Sequence, residues 1–127
     1  MPYTTLNDAA AITNDQGYAK GSTRIWYARP DKQRDLIMGH EFCFKHGYLP
    51  SKAAIEKTHI LLGSITAKEL ETVFDMMQGE RWSPHGEARA LIQSSGLRHT
   101  SMSIGDIIQV GNDYLFVDRS GFVLLDS

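Results

Sequence analysis

The last third of the chain has the clearest pattern of apolar and polar positions. Three short apolar runs, 104–110, 114–117 and 122–125, are separated by Gly111-Asn112-Asp113 and by Asp118-Arg119-Ser120-Gly121. Short apolar runs bounded by glycine, asparagine and aspartate are typical of strands joined by tight turns. The pattern therefore predicts a three-stranded antiparallel meander.

Two segments further upstream also have strand character. Thr23–Ala28 concentrates β-branched and aromatic residues and is followed by Arg29-Pro30-Asp31, which ends the run in a turn. Residues 58–63 form a shorter apolar run that ends at Gly63 and predicts a second buried strand. Both segments are expected to join the C-terminal strands in one sheet.

The clearest helix start lies at Thr66, three residues before Glu69. This spacing is typical of a capping box, in which the two side chains satisfy free amides of the first turn, and it predicts a helix over 67–78. One face of that helix is apolar and is expected to pack on the sheet. It comprises Leu70, Val73, Phe74 and Met77.

A second central helix is predicted from Pro84 to about Ser95. Ser83 is a suitable cap before a proline at the first helical position. Gly96 suits the position just after the helix, where a left-handed conformation is common.

A weaker helical pattern lies between Asp31, a suitable cap, and Gly47, a suitable end. Gly39 interrupts this pattern and therefore predicts a short or broken helix. The residues that recur at helical spacing within it are Leu36, Ile37, His40 and Phe44.

Together these elements predict an α+β fold. An antiparallel sheet ending in a C-terminal three-stranded meander is expected to pack against the two central helices. Residues 1–22 show no sustained period and predict an irregular N-terminal lead-in, so the ordered core is expected to begin at Thr23. Residues 23–127 are predicted to form a single domain.

Composition and charge narrow the classes of function. The 127 residues are 42% hydrophobic and 22% charged, as in an ordinary globular chain. A net charge of -2 disfavours direct nucleic-acid binding, because the broad positive field that such binding uses is absent. A single cysteine, no signal-peptide pattern and no apolar run of about 20 residues predict a cytoplasmic protein without a membrane span. No cofactor is predicted, since no dinucleotide-binding or P-loop glycine motif occurs.

A resemblance to known proteins rests on one segment. Residues 99–108, HTSMSIGDII, resemble a pattern of small uncharacterised proteins from bacteriophages and conjugative plasmids, and YodL-like proteins contain a related element. The similarity continues at Tyr114, Val117 and Gly121-Phe122 and extends over residues 97–125. It implies an accessory protein of a mobile element in a bacterial host cell, of a kind that often modulates host defence or replication by binding proteins. It implies no catalytic residues.

The same segment concentrates side chains that hydrolases use. His99, Ser101, Ser103 and Asp106 include the types needed for a base, a nucleophile and an orienting carboxylate. A small hydrolase or transferase using these residues is therefore an alternative. The favoured interpretation is structural, with Gly105-Asp106 in a turn and the carboxylate bonded to nearby amides. It is favoured because the Gly-x-Ser-x-Gly elbow is missing.

Three residues spaced by three, His40, Cys43 and His46, are potential zinc ligands, with His59 as a fourth. Glycines interrupt the helix around them and the paired loops that usually present zinc thiolates are missing from the sequence, so no metal site is predicted. Cys43 is instead expected to face the core, with the histidines near the surface.

The candidate binding surface is the polar connector between the two central helices. Tryptophan and arginine are enriched at interface hot spots, and charged neighbours add polar specificity. The candidate residues are Glu80, Arg81, Trp82, His85 and Glu87. In the alternative, Trp82 fills the gap between helix and sheet.

The sequence thus favours a non-enzymatic accessory protein that binds a host or mobile-element protein through this connector. A homodimer through the uncovered edge of the last strand is a further expectation. Convergence of several arginines on one face would instead indicate a nucleic-acid accessory factor. The arginines in question are Arg24, Arg89, Arg98 and Arg119.

Overall fold

A computed structural model describes residues 3–126 of the chain, and a five-stranded antiparallel sheet forms its centre. The strands run in the order β2-β1-β3-β4-β5. They are β1 (Thr23–Ala28), β2 (His59–Ile65), β3 (Ile107–Val110), β4 (Asp113–Val117) and β5 (Phe122–Leu124). The α+β class and the C-terminal meander of β3, β4 and β5 are confirmed.

Among the described residues, six short helices and three 3₁₀ turns surround the sheet. The helices are α1 (Ala9–Thr13), α2 (Pro30–Leu36), α3 (His40–His46), α4 (Leu70–Met76), α5 (Gly79–Trp82) and α6 (Arg89–Ser94). The 3₁₀ turns are Leu6–Asp8, Gln16–Tyr18 and Ile55–Lys57. Within residues 3–126, none of these helices has the length and apolar character that spanning a bilayer requires.

The sheet is covered on both faces. Ile25 and Tyr27 of β1 join the core cluster under the N-terminal segment and helices α4 to α6. Trp26 and Ala28 alternate with them and join a second cluster with α2 and α3. Strand side chains point alternately to opposite faces, so β1 is buried on both sides. The covering of the second face was not predicted from the sequence.

The packed core does not begin at β1, contrary to the expectation for residues 1–22. Four side chains before β1, Tyr3, Leu6, Ala9 and Tyr18, are at most 2% exposed and belong to the larger core cluster. The Tyr3 ring stacks on Trp82 with centroids 5.9 Å apart, and its hydroxyl donates to the Trp82 carbonyl at 2.6 Å. These anchors are single residues without a period, so the pattern could not reveal them.

Both predicted caps of the central helices are wrong. The Thr66 hydroxyl donates to the Gln16 carbonyl at 2.9 Å instead of capping a helix, and α4 begins at Leu70. The Ser83 hydroxyl accepts a bond from the Ala88 amide at 2.9 Å within a turn, so α6 begins at Arg89. At Thr66 a tertiary hydrogen bond replaces the predicted cap, whereas at Ser83 the hydroxyl bonds within a local turn that precedes the helix.

The pattern after β1 is a broken helix, as predicted, but its details differ. Pro30, not the residue after a cap at Asp31, is the first residue of α2. Gly39, with φ of 102°, separates α2 from α3, and Gly47, with φ of 74°, ends α3 as predicted. Strand β2 continues through Gly63 to Ile65 rather than ending at the glycine.

The replacement Gly105→Ala should destabilise the fold strongly. Gly105 has φ of +96°, and an added Cβ would lie 2.6 Å from Leu36 Cβ and 3.0 Å from the Leu36 carbonyl group. Positive φ costs about 1–2 kcal/mol and overpacking adds about 1–3 kcal/mol, so a loss of roughly 3 kcal/mol is expected in urea denaturation. Gly111→Ala is the control, because Gly111 has φ of +62° and nothing within 4 Å. Equal losses in both variants would contradict the close packing.

Candidate functional site

The carboxylate of Asp106 is buried at the start of β3 and is only 1% exposed. Its Oδ1 accepts a bond from the Ala28 amide at 2.7 Å, at the end of β1. Its Oδ2 accepts a bond from the Ser103 amide at 2.8 Å and lies 2.9 Å from His99 Nε2. The predicted local bonding of this aspartate to backbone is present, and it extends to a second strand.

The imidazole of His99 is fixed between Asp106 and Tyr27. Its ring stacks on the Tyr27 ring with centroids 4.5 Å apart and an interplanar angle of 17°. Nε2 carries a proton toward Asp106, because the ionised carboxylate can only accept. Nδ1 is buried, and no hydrogen-bond partner for it occurs among residues 3–126. The arrangement positions the ring firmly and leaves 14% of the side chain exposed.

The serines of this segment are not joined to His99. Ser101 Oγ accepts a bond from the Gly79 amide at 2.7 Å, which ties it to the start of α5. Ser103 contributes its amide to Asp106 and its carbonyl to the Asp106 amide at 3.0 Å. Within the described chain, no hydrogen bond links His99 to either serine oxygen. A base next to a nucleophile, which covalent catalysis needs, is not assembled here.

The rest of the segment is fastened to the helices beside it. The Thr100 carbonyl accepts bonds from the Tyr27 hydroxyl at 2.8 Å and from Trp82 Nε1 at 3.1 Å. The Met102 amide donates to the Met77 carbonyl at 3.0 Å. Residues 99–106 therefore link β1 to α4 and α5.

A second histidine, His59, is fully buried beside this segment. Its Nε2 donates to the Gly105 carbonyl at 2.7 Å, which fixes the tautomer, and its Nδ1 accepts from the Thr58 hydroxyl at 2.7 Å. Burial lowers the pKa of His59 below 6.5, outweighing the Gly105 bond and the nearby Asp106, which raise it. The ring is neutral and structural at neutral pH.

The residues considered as potential zinc ligands lie in different environments. Cys43 is buried, its Sγ donates to the Asp35 carbonyl at 3.4 Å, and burial raises the pKa of its thiol. His46 packs on Phe42 at 4.3 Å between ring centroids, and His59 lies at the Gly105 carbonyl. In the part of the chain that the structure describes, no group of three or more His, Cys, Asp or Glu side chains is arranged to hold a metal ion.

Only some side chains of the connector between α4 and α6 are exposed and free to contact a partner. Trp82 is 0% exposed and fills the space between α5, Tyr3 and Thr100, as the alternative interpretation predicted. Arg81 is held by Asp15, with Nη2 to Oδ2 at 3.1 Å.

The remaining connector side chains differ in exposure. Glu80 and His85 are exposed, while Glu87 is half-buried. The Glu87 carboxylate accepts a bond from the His85 amide at 2.8 Å, and this bond lowers the pKa of Glu87. Polar contacts from the connector therefore come from Glu80 and His85.

The sequence missed an aromatic surface on α3. Phe44 continues the helical spacing of Leu36 and Ile37, but it is 70% exposed, while Cys43 faces the core. The break at Gly39 turns α3 relative to α2, so one continuous helical wheel cannot describe both. Gly39 is the sequence feature that indicates this difference, because a glycine break means that the residues before and after it need not share one helical face.

The comparisons with known proteins give no relative. No protein-family model matches this chain, and neither a curated protein nor a solved structure is significantly similar to it.

Asp106→Ala should be among the most damaging single replacements in the chain. It removes the acceptor of the Ala28 and Ser103 amides and leaves the His99 ring without its carboxylate. Breaking such a buried pair costs about 3–5 kcal/mol. Chemical denaturation should show this loss, whereas Asp113→Ala, at the exposed first position of β4, should change the free energy of unfolding by less than about 0.5 kcal/mol.

His59 should make the fold sensitive to mild acid. Because its folded-state pKa lies below 6.5, the unfolded chain binds the proton more tightly. The free energy of unfolding should therefore fall as pH drops below 6.5, by at most about 1.4 kcal/mol per pH unit for this group.

The pH effect is measured by urea denaturation between neutral and mildly acidic pH. His59→Gln keeps a donor for the Gly105 carbonyl but cannot titrate, so its stability should depend less on pH. His46→Gln, at an exposed position, is the control and should keep the wild-type slope. An unchanged slope in His59→Gln is the result that contradicts this assignment.

Proposed function

We propose that this chain is a non-enzymatic accessory protein that binds another protein, encoded by a bacterial host or by a mobile element such as a phage. The origin in a mobile element, and a role in modulating host defence, rest on the resemblance of residues 97–125. The binding activity is supported by the surface of the folded chain.

The observation that supports protein binding is an exposed apolar surface at α3 and the residues beside it. Four large apolar side chains lie there within one short stretch of sequence. They are Ile37 at 42%, Met38 at 42%, Phe44 at 70% and Tyr48 at 44% exposure. Clustered exposed apolar residues mark interaction sites far more often than scattered ones do.

Aromatic packing orders three rings of this α3 surface, those of Phe42, His46 and Tyr48. The His46 ring stacks on Tyr48 with centroids 6.0 Å apart, and Phe42 lies 4.3 Å from His46 and 6.2 Å from Tyr48. Ordered rings lose little conformational freedom on binding, so more of the burial energy becomes affinity. Phe44 extends from the same helix as a free anchor.

The charges on α3 indicate the chemistry of the partner. Lys45 Nζ and Glu41 Oε1 are 3.2 Å apart and form an intrahelical pair, so they largely cancel each other. A neutral aromatic surface gains affinity from apolar burial rather than from charge. The partner is therefore a protein with an apolar groove that accepts the Phe44 ring.

The hydrogen bonds of residues 99–106 support a non-enzymatic role. Ser101 Oγ, Asp106 and His99 Nε2 are engaged with backbone or with one another. Activating Ser101 would require the loss of its bond to the Gly79 amide. The hydrolase or transferase alternative therefore gains no support from this geometry.

Phe44→Ser should remove most partner capture without unfolding the chain. Burying an aromatic side chain at an interface centre is typically worth 2 kcal/mol or more, about a thirtyfold change in affinity. The assay is a pull-down from native-host lysate with quantitative mass spectrometry. Ile12→Ser, at a 36% exposed position on α1, is the matched control.

Two further measurements make this test specific. Glu80→Ala with His85→Ala reports the contribution of the connector, which should be smaller than that of Phe44. Sedimentation of the purified chain detects a homodimer through β5, whose outer edge is unpaired in the sheet order. Equal capture by wild type and Phe44→Ser would refute the proposed surface.

A further inference from the structure

We infer that a cleft between the connector and α6 binds acidic side chains of a protein segment. The cleft has a volume of about 480 Å³. Its rim comprises Ser83, Gly86, Arg89, Gln93, Arg98 and Thr100. This inference rests on the proposed function, since it names the chemistry of one part of the partner, but it concerns a site separate from α3.

The position of Arg98 follows from how α6 ends. The Leu97 amide donates to the Ile92 carbonyl at 2.9 Å and the Gly96 amide donates to the Gln93 carbonyl at 3.0 Å. With Gly96 at φ of +77°, these bonds form a Schellman motif, which reverses the chain. This reversal places Arg98 at the same cleft as Arg89, which lies in the first turn of α6.

The floor and one wall of the cleft are held by the core. Ile92 and Leu97 are each 4% exposed and form its apolar base. The Thr100 carbonyl is fixed by the buried Tyr27 and Trp82 side chains. The cleft is therefore preformed, which reduces the entropic cost of binding a segment.

The charge of the cleft is opposite to that of the whole chain. Its lining contains two guanidinium groups and no carboxylate, whereas the chain has a net charge of -2. Across residues 3–126, the ion pairs involve Lys45, Arg81 and His99, but neither Arg89 nor Arg98. Two guanidinium groups that line one cleft, and that form no ion pair within residues 3–126, favour a carboxylate, which each can bind in a bidentate manner.

A protein segment fits this cleft better than a nucleic acid does. Only Arg89 and Arg98 of the four arginines named from the sequence line it, while Arg24 and Arg119 do not. A nucleic-acid backbone needs a longer positive track. The apolar floor of Ile92 and Leu97 instead suits an aliphatic side chain next to an acidic one.

The test uses a short fluorescein-labelled peptide of glutamate and leucine, with a matched peptide of glutamine and leucine. Fluorescence anisotropy should show the glutamate peptide binding at least about tenfold more tightly, because charge-assisted bonds are the stronger ones. Its affinity should fall as salt rises. Amide resonances of Gly86 and Thr100 should shift on binding, which locates the peptide in the cleft.

Arg89→Gln with Arg98→Gln should weaken binding of the glutamate peptide at least about tenfold. Arg24→Gln with Arg34→Gln removes the same charge from exposed positions outside the cleft and should leave binding nearly unchanged. Equal binding of the two peptides, or equal weakening by both double variants, overturns the inference. Tighter binding of single-stranded oligodeoxythymidine or of inorganic phosphate than of the glutamate peptide also overturns it.

The outcome is separable from that of the proposed function. Absence of peptide binding together with loss of partner capture in Phe44→Ser rejects the cleft and keeps the protein-binding role. Peptide binding lost in the Arg89 and Arg98 variant, with capture unaffected by Phe44→Ser, keeps the cleft and rejects the α3 surface.

Discussion

The buried carboxylate of Asp106 constrains more of this fold than any other side chain described above. Removing an ionised carboxylate from water costs several kcal/mol unless donors replace the water. The Ala28 amide, the Ser103 amide and His99 supply those donors. Ala28 ends β1 and Asp106 immediately precedes β3, so satisfying the charge also sets how these two central strands meet.

The same constraint explains the segment HTSMSIGD. His99 and the Ser103 amide are hydrogen-bonded to the carboxylate. The Thr100 carbonyl accepts bonds from the buried Tyr27 and Trp82 side chains, and Ser101 Oγ accepts a bond from the Gly79 amide. Gly105 is needed because a side chain there would overlap Leu36. These hydrogen bonds join the segment to β1, α4 and α5. Partner recognition is therefore expected on other surfaces.

The parts of the fold that could be predicted are those with local signals. Strand β1 and the meander have runs rich in apolar, β-branched and aromatic residues bounded by turn residues. β1 has the predicted bounds, β3 and β5 lie inside their predicted runs, and β4 begins one residue before its run. The predicted capping box at Thr66 is wrong because the Thr66 hydroxyl donates to the Gln16 carbonyl, fifty positions away in sequence. The N-terminal anchors, such as Tyr3, could not be predicted, because single aromatic residues carry no period.

In the candidate site, too, local contacts could be predicted from the sequence and long-range contacts could not. The Asp106 bond to the Ser103 amide is local and of the kind that the sequence predicts, whereas its bond to Ala28 requires two distant strands to meet. The burial of Trp82 depends on Tyr3, and the exposure of Phe44 depends on how Gly39 turns α3. Arg89 and Arg98 converge only because Gly96 reverses the chain after α6. Sequence spacing alone contains none of these long-range relations.

Charge determines how the α3 surface and the cleft differ in their contributions to affinity and to selectivity. A net charge of -2 weakly repels an acidic partner at long range, but screening limits that repulsion to about 10 Å at ordinary salt. Inside that distance, the guanidinium groups of Arg89 and Arg98 dominate the cleft. The charge-assisted bonds of the cleft are expected to add about tenfold in affinity, whereas burial of the Phe44 ring is expected to add about thirtyfold. The α3 surface is therefore expected to supply most of the affinity, and the cleft to decide which apolar partners are accepted.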